Sequence, residues 1–409
     1  MEHEEESVLE GMRVIECAGG INGPGAGCIL GMLGAEVIKI EQPGVGAWER
    51  GIDAVAGTGL QLPDGSAIPV HLFNHSKKSV TIDLNKQEGR EILYRLVQRS
   101  DVFITNYRPS VIERLKIDYE TLSGYNARLI YGTTSALGGK GPERERRSFD
   151  YIGQARSGMM MAMGERNDSP TVMVGAPTDQ LGAIMLAFGV LAAMIARERT
   201  GHGQRVDTSM MGAALFMQAL HLGICLFRGK ELKRHSRADA KAPLSNYYKC
   251  KDGKWILLTE IQVQRFWSRF CDALGMGELT DDPRFMTPER MREHAGELVK
   301  ILDEVFATRT RDEWMKILDE KVGLACSPIH TMSEVTEDPQ VLENGYIVEF
   351  DHPTLGTIRL PGFPVTLTRT PAKIRSRAPE VGEHTEEVLV DLLGYSWEEI
   401  EEFKNREVI

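Results

Sequence analysis

Short runs rich in Val, Ile and Thr recur through the first third of this 409-residue chain, each bounded by a turn or a helical pattern. Met12-Arg13-Val14-Ile15-Glu16 reads as a buried strand, and a glycine-rich turn from Gly19 to Gly27 leads into an apolar helix from Cys28 towards Leu33. Val37 to Glu41 is the next strand. A strand, turn, helix and strand in this order imply parallel pairing with a right-handed crossover. The alternation continues with strands at Lys78–Leu84, Asp101–Asn106 and Arg128–Thr134. A helix over Gln87–Ser100 places Ile92, Leu93, Leu96 and Val97 on one face. The fold class is therefore α/β: a Rossmann-like, mostly parallel sheet with helices on both sides.

Beyond Phe227 the texture changes. Arg228 to Lys241 is polar and basic and reads as a linker, Tyr247–Thr259 as a hairpin around Gly253, and Gln264–Leu274 and Glu289–Phe306 as amphipathic helices. Thr200–Gln204 reads as a turn between a helix and a strand. The tail from Gly356 carries a strand and a helical stretch from His384 to Leu393. The organisation read from this is a large domain over 1–227, a smaller α+β domain over 228–330, and a C-terminal part over 331–409 that returns to the large domain.

A formal net charge of −11 excludes the basic surface on which non-specific nucleic-acid binding depends. Cys17, Cys28, Cys225, Cys250, Cys271 and Cys326 form no C-x-x-C pair, which points to buried thiols in a reducing compartment. The acidic start, MEHEEESVLEGM, lacks the basic and apolar regions of a signal peptide. The apolar stretch Leu181–Ala196 is shorter than the ~20 residues that span a bilayer and reads as a buried core helix. A cytoplasmic protein without a membrane partner is expected.

Between Thr171 and Ala196 the one formal charge is Asp179, directly before that helix. An aspartate there serves as an N-cap, accepting backbone N–H groups. A carboxylate at a helix N-terminus in apolar surroundings is also well placed as a nucleophile. The two readings share a position and differ in what Asp179→Ala does. The Gly19–Gly27 stretch does not match the G-x-G-x-x-G spacing and carries Pro24, so a tight turn competes with a phosphate cradle. Lys77, Lys78, Arg108, Arg114 and Arg144 to Arg147 are phosphate-binding candidates, against an ordinary solvated surface. Tyr107, at a strand end, has a face on which an adenine can stack. His71 and His75 lack the intervening Glu of a zinc-protease helix, and no Ser-His-Asp pattern stands out, so neither a metal site nor a serine hydrolase is indicated. Met159, Met160, Met161 and Met163 are core residues or an adaptable apolar pocket.

Taken in order, LEGMRVIE, NGPGAGCILGMLGAEVIKIEQPG, KKSVTIDL, SDVFITNYRPSVIERL, ARLIYGTTSALGGKGP, FDYIGQARSG, the Asp179 segment, RERTGHGQRVDTSM, DDPRF and GEHTEEVL resemble the family III CoA-transferases across nearly the whole chain. The resemblance implies a large domain made from both chain ends, a smaller domain between, and two interlocked subunits, a homodimer or a related hetero-oligomer, with the active site at a domain interface. It implies that Asp179 attacks an acyl-CoA thioester, giving first an aspartyl-acyl anhydride and then an aspartyl-CoA thioester, with nearby backbone N–H groups stabilising each oxyanion. CoA contacts carry over onto Asn106, Tyr107, Arg114, Arg147, Lys77 and Met210. The CoA thioester is substrate; no permanently bound cofactor is implied. The partners are then a donor acyl-CoA, with succinyl-CoA a candidate, and an acceptor carboxylic acid.

Three positions depart from the pattern. Gln42 stands where the formyl-CoA enzymes have an Arg on a CoA phosphate. Phe149 replaces the histidine base of the racemase branch and cannot exchange a proton. Lys241–Trp255 lacks the glycine run that covers the formyl-CoA transferase intermediate, which argues against an oxalate- or formate-specific site. The alternatives are an acyl-CoA racemase or epimerase using Asp179 with another base, and a non-catalytic CoA-binding subunit of a hetero-oligomer.

Overall fold

A computed structural model of the chain describes residues 7–55, 57–238 and 240–409. The first residues of the acidic start, and Asp239 within the linker read at 228–241, lie outside them. Six parallel strands form one sheet in the order Lys78–Thr81, Glu36–Glu41, Arg13–Cys17, Val102–Thr105, Ile130–Ser135 and Arg205–Ser209. The central strand Arg13–Cys17 pairs Val14 with Val37 on one side and Val14 with Val102 on the other. Both sheet faces are covered, as a parallel sheet requires. Ile15, Phe103 and Tyr131 face one core with Ile92, Leu93, Leu96 and Val97. Val14, Val102 and Ile130, one residue out of phase, face another with Leu186 and Val190. The α/β class read from the alternation holds.

The chain divides into two compact units. The larger comprises residues 1–161, 172–231 and 343–409, so both chain ends build it. Its last part supplies Val388, Leu389 and Ile400 to the core that holds Ile15. The smaller comprises 162–171 and 232–342. It holds an antiparallel three-stranded sheet, with Ser245–Lys249 and Cys326–Ile329 flanking Trp255–Thr259. Its core gathers Tyr248, Ile256, Phe270, Leu302 and Trp314. The exit read near 330 thus falls twelve residues short of this unit's end, because a capping box at Thr331 starts one more helical turn, Met332–Val335.

Three expectations change. Only the head of the glycine-rich stretch, Gly19–Ile21, is a turn: the helix spans Asn22–Met32 and takes in Gly23, Pro24, Gly25 and Gly27. Those glycines answer to close packing, since a Cβ on Gly25 would lie 2.9 Å from Ala183 Cβ and one on Gly27 2.0 Å from Glu16 Oε2. The helix carrying Asp179 runs over Pro177–Thr200, longer than its apolar stretch. It is long and apolar enough to cross a membrane, as one such helix among the described residues. It is not buried all round: Leu186 and Val190 are buried while Ile184, Phe188 and Ile195 are exposed. The amphipathic stretch Glu289–Phe306 breaks at His294 into Pro288–Glu293 and Ala295–Phe306.

Candidate active site

In a parallel α/β sheet the carboxyl ends of the strands are where ligands gather. Gly19 and Gly20 follow the strand Arg13–Cys17, Trp48 follows Glu36–Glu41, and Asn106 follows Val102–Thr105. Asn106 locks this edge. Its Nδ2 donates to Gly19 O at 2.6 Å and to Asn22 Oδ1 at 2.7 Å, and its Oδ1 accepts from Gly19 N at 3.1 Å.

The helix with Asp179 starts sharply after Gly175 and Ala176, both at positive φ, with Pro177 as its first residue. Its N-cap is not its own. Asp150, at the start of the helix Asp150–Arg156, accepts from Thr178 N at 2.7 Å, Thr178 Oγ1 at 2.6 Å and Asp179 N at 3.1 Å through Oδ1. Its Oδ2 accepts from Gln154 Nε2 at 2.6 Å. Asp150 is buried, and Thr178 and Gln154 are fully so. The N-cap reading of Asp179 is therefore replaced: another acid does the capping, and the half-buried Asp179 carboxylate accepts no hydrogen bond from the described residues. Burial, and then the neighbouring Asp150 charge, push the Asp179 carboxyl up from 3.8 to about 7. The oxyanion donors expected beside the nucleophile are not its own helix's first amides, since Thr178 and Asp179 N–H are both committed to Asp150.

Contacts run in a ring through the first turn of the helix that carries Asp179. Phe149 precedes Asp150 and meets Trp48 edge to face, with ring centroids 6.2 Å apart. Arg147 lies over the Phe149 ring, its guanidinium carbon 5.5 Å from the centroid. A Cβ on Gly182, one turn beyond Asp179, would meet Thr134 Oγ1 at 3.4 Å, Met210 Cγ at 3.5 Å and Asn22 Cβ at 3.6 Å. Met210, and Asn106 through its bond to Asn22, thus belong to this ring. Tyr107 is partly buried, and burial raises its hydroxyl pKa. Arg114 is exposed and donates to Asn85 Oδ1 at 2.7 Å. A cleft of about 520 Å³ lined by Pro43, Thr81, Glu383 and Lys404 includes none of the ring residues.

Lys77 sits differently from a phosphate ligand. It is buried, and its Nζ donates to Glu16 Oε2 at 2.7 Å, Pro24 O at 2.8 Å and Asn74 Oδ1 at 3.1 Å, which uses all three of its protons. Glu16 also accepts from Lys39 at 2.9 Å, and Lys39 lies 3.0 Å from Glu49. Burial alone would raise the Glu16 carboxyl, but the Lys39 and Lys77 ammonium groups hold it below its usual range. Burial depresses the Lys77 ammonium pKa despite Glu16. Neither the cap exchange nor this ion cluster has a sequence signature, because both join residues far apart in the chain.

The site is thus an α/β fold with a half-buried carboxylate, Asp179, in the first turn of a helix and without a hydrogen bond from the described residues. The pattern of the CoA-transferase family III matches residues 9–385, and the chain belongs to that family. It is 33% identical over 404 residues to a Clostridioides difficile (R)-2-hydroxy-4-methylpentanoate CoA-transferase, covering 98% of this chain and 99% of that one. It is 30% identical over 401 residues to a Chloroflexus aurantiacus succinyl-CoA–D-citramalate CoA-transferase, covering 98% of each. The crystal structure of a CAIB/BAIF family protein from Brucella suis superposes with a TM-score of 0.84 at 29% identity, over 94% of this chain and 99% of that one.

Proposed function

We propose that the protein transfers CoA from a donor acyl-CoA to a second carboxylic acid, with Asp179 as the covalent nucleophile. The observation that carries this is the release of Asp179 from capping by Asp150, which leaves a half-buried carboxylate with a pKa of about 7 and no partner among the described residues. Asp179 Oδ attacks the thioester carbonyl, the C–S bond breaks, and CoA leaves as thiolate. The thiolate attacks Cγ of the resulting anhydride, the first acid departs, and an aspartyl-CoA thioester remains. The acceptor carboxylate attacks that thioester and frees CoA again. The thiolate then takes the new acyl group and restores the Asp179 carboxylate. Atoms and charge balance with no net proton, and the anhydride preserves the activation of the thioester.

For the coenzyme, Asn106, Tyr107, Arg114, Arg147 and Met210 are the proposed contacts. Lys77 is proposed to act only through the shape of the strand-end turn, because its donors are used within the chain. Succinyl-CoA as donor is supported by the name of the Chloroflexus relative. An assembly of two interlocked copies is supported by the apolar side chains left exposed on Ala219–Arg228, such as Leu220 at 80% and Phe227 at 93%. A cytoplasmic location is supported by the cysteine usage and acidic balance. Assay of Asp179→Ala with a working donor and acceptor tests the mechanism: loss of turnover in a folded protein supports it, and wild-type turnover removes it.

A further inference from the structure

Asp179 follows closely on a change of unit. Residues 162–171 belong to the smaller unit, and the chain enters the larger one at Val172. Val172, Met173 and Val174 lie in no helix or strand and are all exposed. Gly175 and Ala176 follow with φ of 93° and 55°. A residue with a side chain keeps such a left-handed conformation only where its surroundings hold it there. Three exposed neighbours cannot supply that hold by packing.

One buried amide supplies it. Gln154 lies one turn after Asp150 on the helix Asp150–Arg156, and its side chain is fully buried. Its Oε1 accepts from Met173 N at 3.0 Å and its Nε2 donates to Met173 O at 2.8 Å, the two-bond exchange that a neighbouring strand would offer. The other Nε2 proton goes to Asp150 Oδ2 at 2.6 Å, so both protons of the amide are committed. Asp150 in turn holds the amides of Thr178 and Asp179. Gly153 permits the close approach this needs, since a Cβ there would lie 2.5 Å from Thr178 Oγ1. Gln154 therefore ties down both sides of the left-handed turn: Met173 before it directly, and Thr178 and Asp179 after it through Asp150.

We infer that Gln154 is a positioning residue for the transfer reaction, clamping the chain at Met173 and fixing the turn from which the helix of Asp179 starts. This rests on the transferase reading of Asp179. A small displacement of a reacting atom costs rate rather than binding. The proposed coenzyme contacts Asn106, Tyr107 and Arg114 stand on other elements, after the strand Val102–Thr105 and on the helix Pro109–Leu115. Loosening the turn should therefore slow the attack and leave the coenzyme's affinity in place.

The test follows the rate at which hydroxylamine traps Asp179 as a hydroxamate while succinyl-CoA is varied. In Gln154→Ala the saturating rate is expected to fall about tenfold or more, with the half-saturating concentration changed less than about threefold. Met173→Pro removes the Met173 N–H at an exposed position and is expected to show the same split. It decides the matter should Gln154→Ala fail to fold. A wild-type saturating rate in either folded variant, or a loss confined to half-saturation, overturns the inference. Failure of the transferase reading shows separately, as wild-type protein labelled on another residue or not at all. Amide hydrogen exchange then decides the clamp. Peptides over 172–180 are expected to exchange faster in Gln154→Ala, while those over Arg13–Cys17 keep wild-type protection. Equal protection of 172–180 in the two proteins overturns it.

Discussion

Asp150 Oδ1 stands 3.1 Å from the amide nitrogen of Asp179, so one buried acid caps the helix that carries the other. The same oxygen takes the amide and hydroxyl of Thr178. The arrangement gives Asp179 a fixed backbone, a free carboxylate and a nearby negative charge that disfavours its ionisation. Asp150→Asn keeps the shape and removes the charge. It is expected to shift the acid limb of the pH–rate profile to lower pH. It should also lower stability by about 1 kcal/mol, since an asparagine amide nitrogen cannot accept the Gln154 Nε2–H bond that Asp150 Oδ2 takes. Urea melts and a pH–kcat/KM series check both, and an unmoved acid limb contradicts the electrostatic part.

Asp179 itself sets a pH dependence. The nucleophile must be ionised, so activity should fall about tenfold per pH unit below its pKa of about 7 and level off above it. Stability should run the other way. The folded protein keeps this proton to about pH 7 while the unfolded chain releases it near 3.8, so between these values the folded state binds more protons. Stability is therefore lost as pH rises through that window. Asp179→Asn should be more stable than wild type at pH 8, by on the order of 2–4 kcal/mol, and nearly equal to it at pH 4. Calorimetry at the two pH values decides it.

Glu16 lies between Lys39 and Lys77, all three side chains fully buried. Glu16→Gln leaves two buried cations short of a counter-charge and is expected to cost about 3–5 kcal/mol. Lys77→Ala should likewise lower the melting temperature. It should not raise KM for the acyl-CoA in the protein that remains folded. A selective rise in KM with unchanged stability would return Lys77 to the coenzyme site.

The helices Met210–Met217 and Ala219–Arg228 leave Phe216, Leu220, Leu226 and Phe227 exposed together. An apolar face of this kind marks an interaction surface. A second copy is the expected occupant, and sedimentation should show an assembly that the double variant Leu226→Asp, Phe227→Asp weakens. A wild-type monomer at micromolar concentration would contradict this.

The sheet was legible because its strands are short, β-branched and separated by helical periodicity, as at Val37–Glu41 and Ile92–Val97. The start of the helix at Asn22 was not, because glycine and proline at its head signal a turn, whereas here they answer to the close approach of Ala183 and Glu16. Asp179 stood out in sequence as a lone charge before an apolar run. Its relief by Asp150 did not, because the capping oxygen comes from 29 residues away. Lys77 looked like a surface cation in sequence, and only the fold shows the carboxylate and two oxygens that surround it. Trp48 gave no signal at all: its neighbours Gly19 and Gly20 lie on another strand end.

The most direct test is peptide mass spectrometry of protein incubated with an acyl-CoA substrate and then treated with hydroxylamine. The account predicts a hydroxamate on Asp179, formed only when acyl-CoA is present and absent from Asp179→Asn. Turnover in the same sample with Asp179 unmodified, or the label on another residue, would contradict it.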